Sequence, residues 1–94
     1  MSLSFEWDAA KAAANRRKHR VSFAQAAQAF LDPFAVEWID ARETHGEERS
    51  VLLGMSAGVL LNLVCTERSD RIRIISARRA TRHEQVHYLR QNAP

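Results

Sequence analysis

A chain of 94 residues has room for one domain and one hydrophobic core, which excludes a large multi-lobed cleft enzyme. With 46% hydrophobic and 27% charged residues, two prolines and three glycines, the composition is that of an ordinary globular protein without low-complexity linkers. The net charge is only +3, but it is unevenly spread.

Residues 9 to 31 carry Lys11, Arg16, Arg17, Lys18 and Arg20 and no carboxylate. Residues 32 to 48 are acidic, with Asp32, Glu37, Asp40, Glu43, Glu47 and Glu48 against Arg42. Residues 68 to 82 then hold six arginines and one aspartate. A single arginine reads first as half of a surface ion pair. Six within fifteen residues point to phosphate, which a guanidinium takes bidentately.

In chain order, Phe5-Glu6-Trp7 is an extended lead-in, and Asp8 is placed to cap an alanine-rich helix from Ala9 to His19. Lys11, Asn15 and Lys18 share one face of it. Ser22 and Gln25 fit a capping box with Val21 as hydrophobic staple, opening a second helix whose stripe is Phe23, Ala26, Ala27 and Phe30 and which Asp32-Pro33 ends. The period then becomes that of strands: residues 34 to 40, 49 to 56, 59 to 68 and 71 to 78, with short turns at Ala57-Gly58 and Ser69-Asp70. Strands joined this tightly are antiparallel. Arg78 has the parity of Ile72 and Ile74 and is expected on their face, whereas Arg71 and Arg73 share the other. A final helix over residues 82 to 91 has Val86, Leu89 and Ala93 as its apolar stripe. The expected fold is α+β: two N-terminal helices, an antiparallel sheet of three or four strands, and a C-terminal helix.

No apolar run approaches the roughly 20 residues of a membrane helix, and nothing at the N-terminus reads as a signal peptide, so a cytoplasmic protein is expected. Cys65 is the single cysteine and sits in an apolar run, consistent with a small buried hydrophobe in a reducing compartment.

Residues 83 to 87 read HEQVH, a literal H-E-x-x-H zinc motif. A catalytic zinc needs a third ligand, and none of the seven residues after His87 is His, Cys, Asp or Glu. His19, His45 and Cys65 have no spacing that suggests one. Thr81 and Glu84 also fit a capping box, which gives the glutamate a simpler role. No metal or other cofactor is therefore expected.

The stretches Phe5-Glu6-Trp7-Asp8, Lys11-x-x-x-Asn15-x-x-Lys18-His19-x-Val21-x-Phe23, Gly46-Glu47-Glu48-Arg49 and Thr66-Glu67-Arg68, followed by the run from Arg71 to Ala80, together resemble the BrnT family of bacterial type II toxins. The resemblance spans residues 5 to 88. It implies a RelE-like fold, a cytoplasmic endoribonuclease that works without metal and inhibits translation, and a BrnA-like ribbon-helix-helix antitoxin that forms a hetero-oligomer with it and binds DNA. It also matches a family glutamate and tyrosine to Glu84 and Tyr88, without requiring histidine at positions 83 and 87.

RNA is cut without metal when its own 2′-hydroxyl attacks the adjacent phosphorus, which calls for a base, an acid and cations around the phosphate. His19 is the acid–base candidate, or a solvated residue at a helix C-terminus. Lys18 is a phosphate or proton-transfer group, or part of a plain basic surface. Arg78 and Arg79 are candidates for stabilising the transition state, and Glu67 for orienting an arginine. Arg68, Arg71, Arg73 and Arg82 are candidate RNA contacts. Tyr88 either stacks on a base or fills the packing between helix and sheet, and Trp7 is core or a stacking group. The alternative to an enzyme is a noncatalytic module that binds RNA or antitoxin through the same arginines.

Overall fold

The structure, a computed structural model, describes residues 3 to 41 and 46 to 94. Arg42 and Glu43 of the acidic block, and His45, weighed as a third zinc ligand, lie outside them. The chain runs β1 (Ser4–Glu6), α1 (Ala9–His19), α2 (Phe23–Gln28), a 3-10 turn (Ala29–Leu31), β2 (Val36–Asp40), β3 (Arg49–Ser56), β4 (Val59–Arg68), β5 (Arg71–Arg79) and α3 (Arg82–Gln91). No helix among the described residues is long and apolar enough to cross a membrane.

The α+β layout stands, with one correction. Among the described residues the sheet has five strands in the order β1-β5-β4-β3-β2, because the lead-in pairs with β5 in parallel, Phe5 opposite Ile72 and Glu6 opposite Arg73. Parallel pairing is possible here because α1, α2 and three strands intervene, ample chain for a crossover. The remaining pairings are antiparallel. Ala57 and Gly58 both have positive φ, 50° and 78°, the twist that a two-residue hairpin needs.

The two faces of the sheet differ. One is covered by α1 and α2, which bury Val21, Phe23, Ala26 and Ala29 against Leu52, Leu61, Leu63, Cys65, Ile74 and Ala77. Burial pushes the Cys65 thiol up to about 12, with the Glu37 charge adding to it, so it is an inert packing group at neutral pH. At Gly54 the backbone of β3 approaches the 3-10 turn so closely that a Cβ would stand 2.6 Å from the Ala29 carbonyl oxygen. Among the described residues, the other face is covered only at one end, where α3 sets Tyr88 and the preceding Ala80 on Leu53, Val36 and Leu60.

Three expectations about packing change. Val86 and Leu89 do not form the buried stripe of α3; they are 38% and 66% exposed, and Tyr88 is the residue that α3 buries. Trp7 is not core: it is 38% exposed and meets Phe23 ring edge to face. Asn15 does not sit with Lys11 and Lys18 on a solvated face but is buried. Its amide nitrogen donates to the Val21 and Ala77 carbonyls at 3.1 and 2.8 Å, and its oxygen accepts the Ala77 N–H at 3.1 Å. Since β1 ends at Glu6 opposite Arg73, the Asn15 amide takes the place of a strand on the β5 edge at Ala77.

Asp32 is a second tie. It accepts from the backbone N–H of Phe34 at 2.9 Å and of Met55 at 2.8 Å, and from the Tyr88 hydroxyl at 2.6 Å. The residue expected only to stop a helix thus joins the 3-10 turn, β3 and α3. Burial opposes its ionisation, but these hydrogen bonds together hold its carboxyl below the usual range.

Replacing Asn15 with Ala strands buried groups of Ala77 and Val21, each at a cost of about 1–3 kcal/mol. Asn15→Ala is expected to lose about 3 kcal/mol of stability and roughly 10–20 °C in Tm, measured by thermal unfolding. A loss under about 0.5 kcal/mol would contradict the edge-strand role.

Candidate nucleic-acid interface

The open face of the sheet is set by a bulge in β5. Val64 pairs with Ser76 and Cys65 with Ile74, so Ile75 is an extra residue on β5. The alternation shifts by one there, and Ile74 and Ala77 both point into the core. Arg78 therefore emerges not on the face of Ile72 and Ile74, as simple parity predicts, but on the opposite face, in register with Asn62 and on the same side as Arg73.

There Arg78 meets the start of α3. Thr81 caps the helix as its sequence predicts: its hydroxyl accepts the Glu84 N–H at 3.2 Å and Glu84 Oε1 accepts the Thr81 N–H at 2.8 Å. The same carboxylate accepts both terminal nitrogens of Arg78, at 2.8 and 2.9 Å, and the Asn62 amide at 2.8 Å. Each Glu84 oxygen thus takes two donors. Arg78 Nη1 also donates to the Arg79 carbonyl at 3.2 Å. Its Nε and the remaining Nη2 hydrogen have no partner among the described residues, and 39% of the side chain is exposed. The guanidinium is held rigidly and still has donors to offer.

The electrostatics follow from this contact. The Arg78 hydrogen bonds hold the Glu84 carboxyl down at about 2 against the opposing effect of burial, with the Thr81 N–H and Asn62 helping. Glu84 in turn raises the Arg78 guanidinium, so both stay charged at any working pH. Tyr88 is pushed up to about 12, first by burial and then by its bond to Asp32.

Around this corner lies a groove floored by Val51, Asn62, Val64 and Ser76, with Arg78 and Glu84 on one side and Trp38 and Asp40 on the other. His87 from α3 stands edge to face with Trp38 at 5.6 Å, and a second hollow with His83 continues past this pair. Arg73 is on the same face, paired with Glu6 at 2.7 Å.

The other candidates are dispersed. Arg68 pairs with Glu47 and lies opposite Arg71, six residues along β4 from Asn62, roughly 20 Å from the Arg78 level at about 3.3 Å per residue. Glu67 orients no arginine through a hydrogen bond or ion pair among the described residues; it is exposed, in a hollow with Glu37, Glu48 and Arg49. Glu6, Glu47 and Glu84 do that work instead. Arg71, Arg79 and Arg82 are exposed. Tyr88 is 8% exposed with its hydroxyl on Asp32, so its ring fills the packing between helix and sheet. Lys18 and His19 end α1, in the layer on the other side of the sheet, and their side chains hydrogen-bond to no described residue.

The motif HEQVH does form a helix, but its glutamate is committed to Arg78, Asn62 and Thr81, and the ring of its second histidine packs edge to face with Trp38. No three His, Cys, Asp or Glu side chains among the described residues converge as a metal site. Asn62 and Trp38 belonged to no motif. The signal available for Asn62 was a polar residue interrupting the apolar run of β4.

Glu84 carries a pH signature with a definite sign. Its folded carboxyl titrates near 2 and an unfolded one near 4.5, so its contribution is present above 4.5 and is lost as pH falls toward 2. With Arg78 partly exposed, that contribution is on the order of 2 kcal/mol. Denaturant unfolding of wild type and Glu84→Gln is expected to differ most near neutral pH and to converge by about that amount between pH 4.5 and 2. A difference independent of pH would contradict the ion pair.

A search of curated proteins finds no match to the chain. The family model described as "Ribonuclease toxin, BrnT, of type II toxin-antitoxin system" matches residues 7–84, which include β2 to β5, both N-terminal helices and the Arg78–Glu84 corner. The chain belongs to the BrnT family of ribonuclease toxins of type II toxin–antitoxin systems.

Proposed function

We propose that the chain, acting as one domain, is a metal-independent endoribonuclease that cleaves RNA by attack of the 2′-hydroxyl on the adjacent phosphorus and so inhibits translation. The observation that carries this reading is Arg78: a guanidinium locked by Glu84, with donors on Nε and Nη2 that meet no partner among the described residues, facing an open groove. Such a group stabilises charge that develops on a phosphoryl oxygen without having to reorganise. Arg73 on the same face, and Arg79 and Arg82 close to Arg78 in sequence, hold the flanking backbone, with Arg68 and Arg71 reaching phosphates further along the strand. Tyr88 serves by position, tying α3 to Asp32. Glu67 carries no step in this scheme.

His19 exchanges the proton and Lys18 assists it. Their helix runs beside the β5 edge: Asn15 bonds Ala77, the neighbour of Arg78, and His19 is one helical turn from Asn15, about 5–6 Å between Cβ atoms. For His19 to serve the phosphate at Arg78, RNA has to pass over this edge from the open face of the sheet to the end of α1. The fold is read as RelE-like and the protein as cytoplasmic. Type II membership implies an antitoxin; a BrnA-like ribbon-helix-helix protein that forms a hetero-oligomer and binds DNA fits that role, and its acidic side chains would compete with RNA for the arginines.

The expected outcome is RNA cleavage that persists in EDTA and leaves 2′,3′-cyclic phosphate ends, measured by end-group analysis. Arg78→Ala is expected to lower kcat/KM by roughly 10²–10³-fold, with Arg78→Lys restoring only part. His19→Ala is expected to lower it by roughly 10²–10⁴-fold. Intact RNA together with salt-sensitive binding would replace this reading with a noncatalytic binding module.

A further inference from the structure

Trp38 is unused by the scheme above, yet it stands in the groove. It heads a row across the sheet, Trp38 opposite Val51, Val51 opposite Val64 and Val64 opposite Ser76, and Arg78 lies two residues beyond Ser76 on the same face. Three strand spacings of about 4.8 Å put the Trp38 and Ser76 backbones roughly 14 Å apart. The indole and the guanidinium both line the space between, over a floor of shorter side chains. The contact with His87 steadies the indole from the α3 side and leaves Trp38 38% exposed.

A large aromatic ring left in solvent, across a groove from a cation whose remaining donors meet no partner among the described residues, matches the two ends of one nucleotide. The indole offers a π face to a base, and Arg78 offers N–H groups to its phosphate. Asn62 and Ser76 line the floor between them. We infer that Trp38, steadied by His87, is a stacking subsite for an unpaired nucleobase next to the phosphate held by Arg78, which makes single-stranded RNA the substrate class. A base inside a duplex is already stacked on both faces and cannot reach the indole without being extruded. This inference rests on the proposal that the groove takes RNA, but not on the cleavage chemistry.

The test uses the full chain carrying Trp7→Phe, in which Trp38 is the single remaining indole. A single-stranded 2′-O-methyl oligoribonucleotide, whose nucleophile is blocked, is titrated while indole fluorescence is followed. Quenching is expected, and the Kd, read from the anisotropy of the same oligonucleotide carrying an end label, is expected to weaken roughly ten- to a hundred-fold with Trp38→Leu, which keeps an apolar side chain but removes the π face, and to be largely retained with Trp38→Phe. The same sequence as a duplex should neither quench nor respond to Trp38→Leu. An unchanged fluorescence and an unchanged Kd for Trp38→Leu would overturn the subsite, even if wild-type protein cleaves RNA in EDTA. Trp38-dependent binding by a wild-type protein that leaves RNA intact would uphold the subsite and overturn the nuclease proposal.

Discussion

One extra residue in β5 decides which side of the sheet carries Arg78. Without the bulge at Ile75, Arg78 would follow Ile72 and Ile74 into the layer under α1 and α2, where a guanidinium would have to be buried. With it, Ala77 takes the buried position and Arg78 turns out toward α3. The bulge also re-aims the strand just before α3, which is a recurrent use of bulges next to functional sites. The geometry of the corner, and everything proposed for it, depends on that shift.

Three polar side chains then hold the shifted frame in place. Asn15 completes the β5 edge at Ala77, the residue before Arg78. Asp32 fixes the 3-10 turn, β3 and the middle of α3. Glu84 fastens the start of α3 to β5 and, through Asn62, to β4. Since Val86 and Leu89 stay exposed, α3 is positioned less by an apolar stripe than by Tyr88 and these ties. Polar ties are directional where apolar packing is not, so they suit a helix whose first turn must hold one arginine to within a hydrogen-bond length.

What could be read in advance follows from how local each signal is. The bounds of α1 and α3, the caps at Asp8, Ser22 and Thr81, and the hairpins at Ala57-Gly58 and Ser69-Asp70 rest on residues close in sequence, and all are present in the structure. The parallel pairing of Ser4–Glu6 with β5 was not legible, because three residues carry too short a pattern and their partner lies more than sixty positions away. The same distance hid the partner of Asn15, whose spacing on α1 resembled a basic surface. A bulge leaves no mark in an alternating pattern of Ile, Arg and Ser, so the face of Arg78 was misassigned. Glu84 was found for its cap, and its hold on Arg78 came only with the fold.

The central claim is that Glu84 serves the chemistry by holding Arg78. A double-mutant cycle on RNA cleavage in EDTA, at neutral pH and a temperature where all four proteins remain folded, measures this directly. If Glu84 acts through Arg78, then Glu84→Gln slows the wild-type background but adds no further loss once Arg78→Ala is present. A double variant whose loss equals the product of the two single losses would show that the residues act independently and would contradict the account.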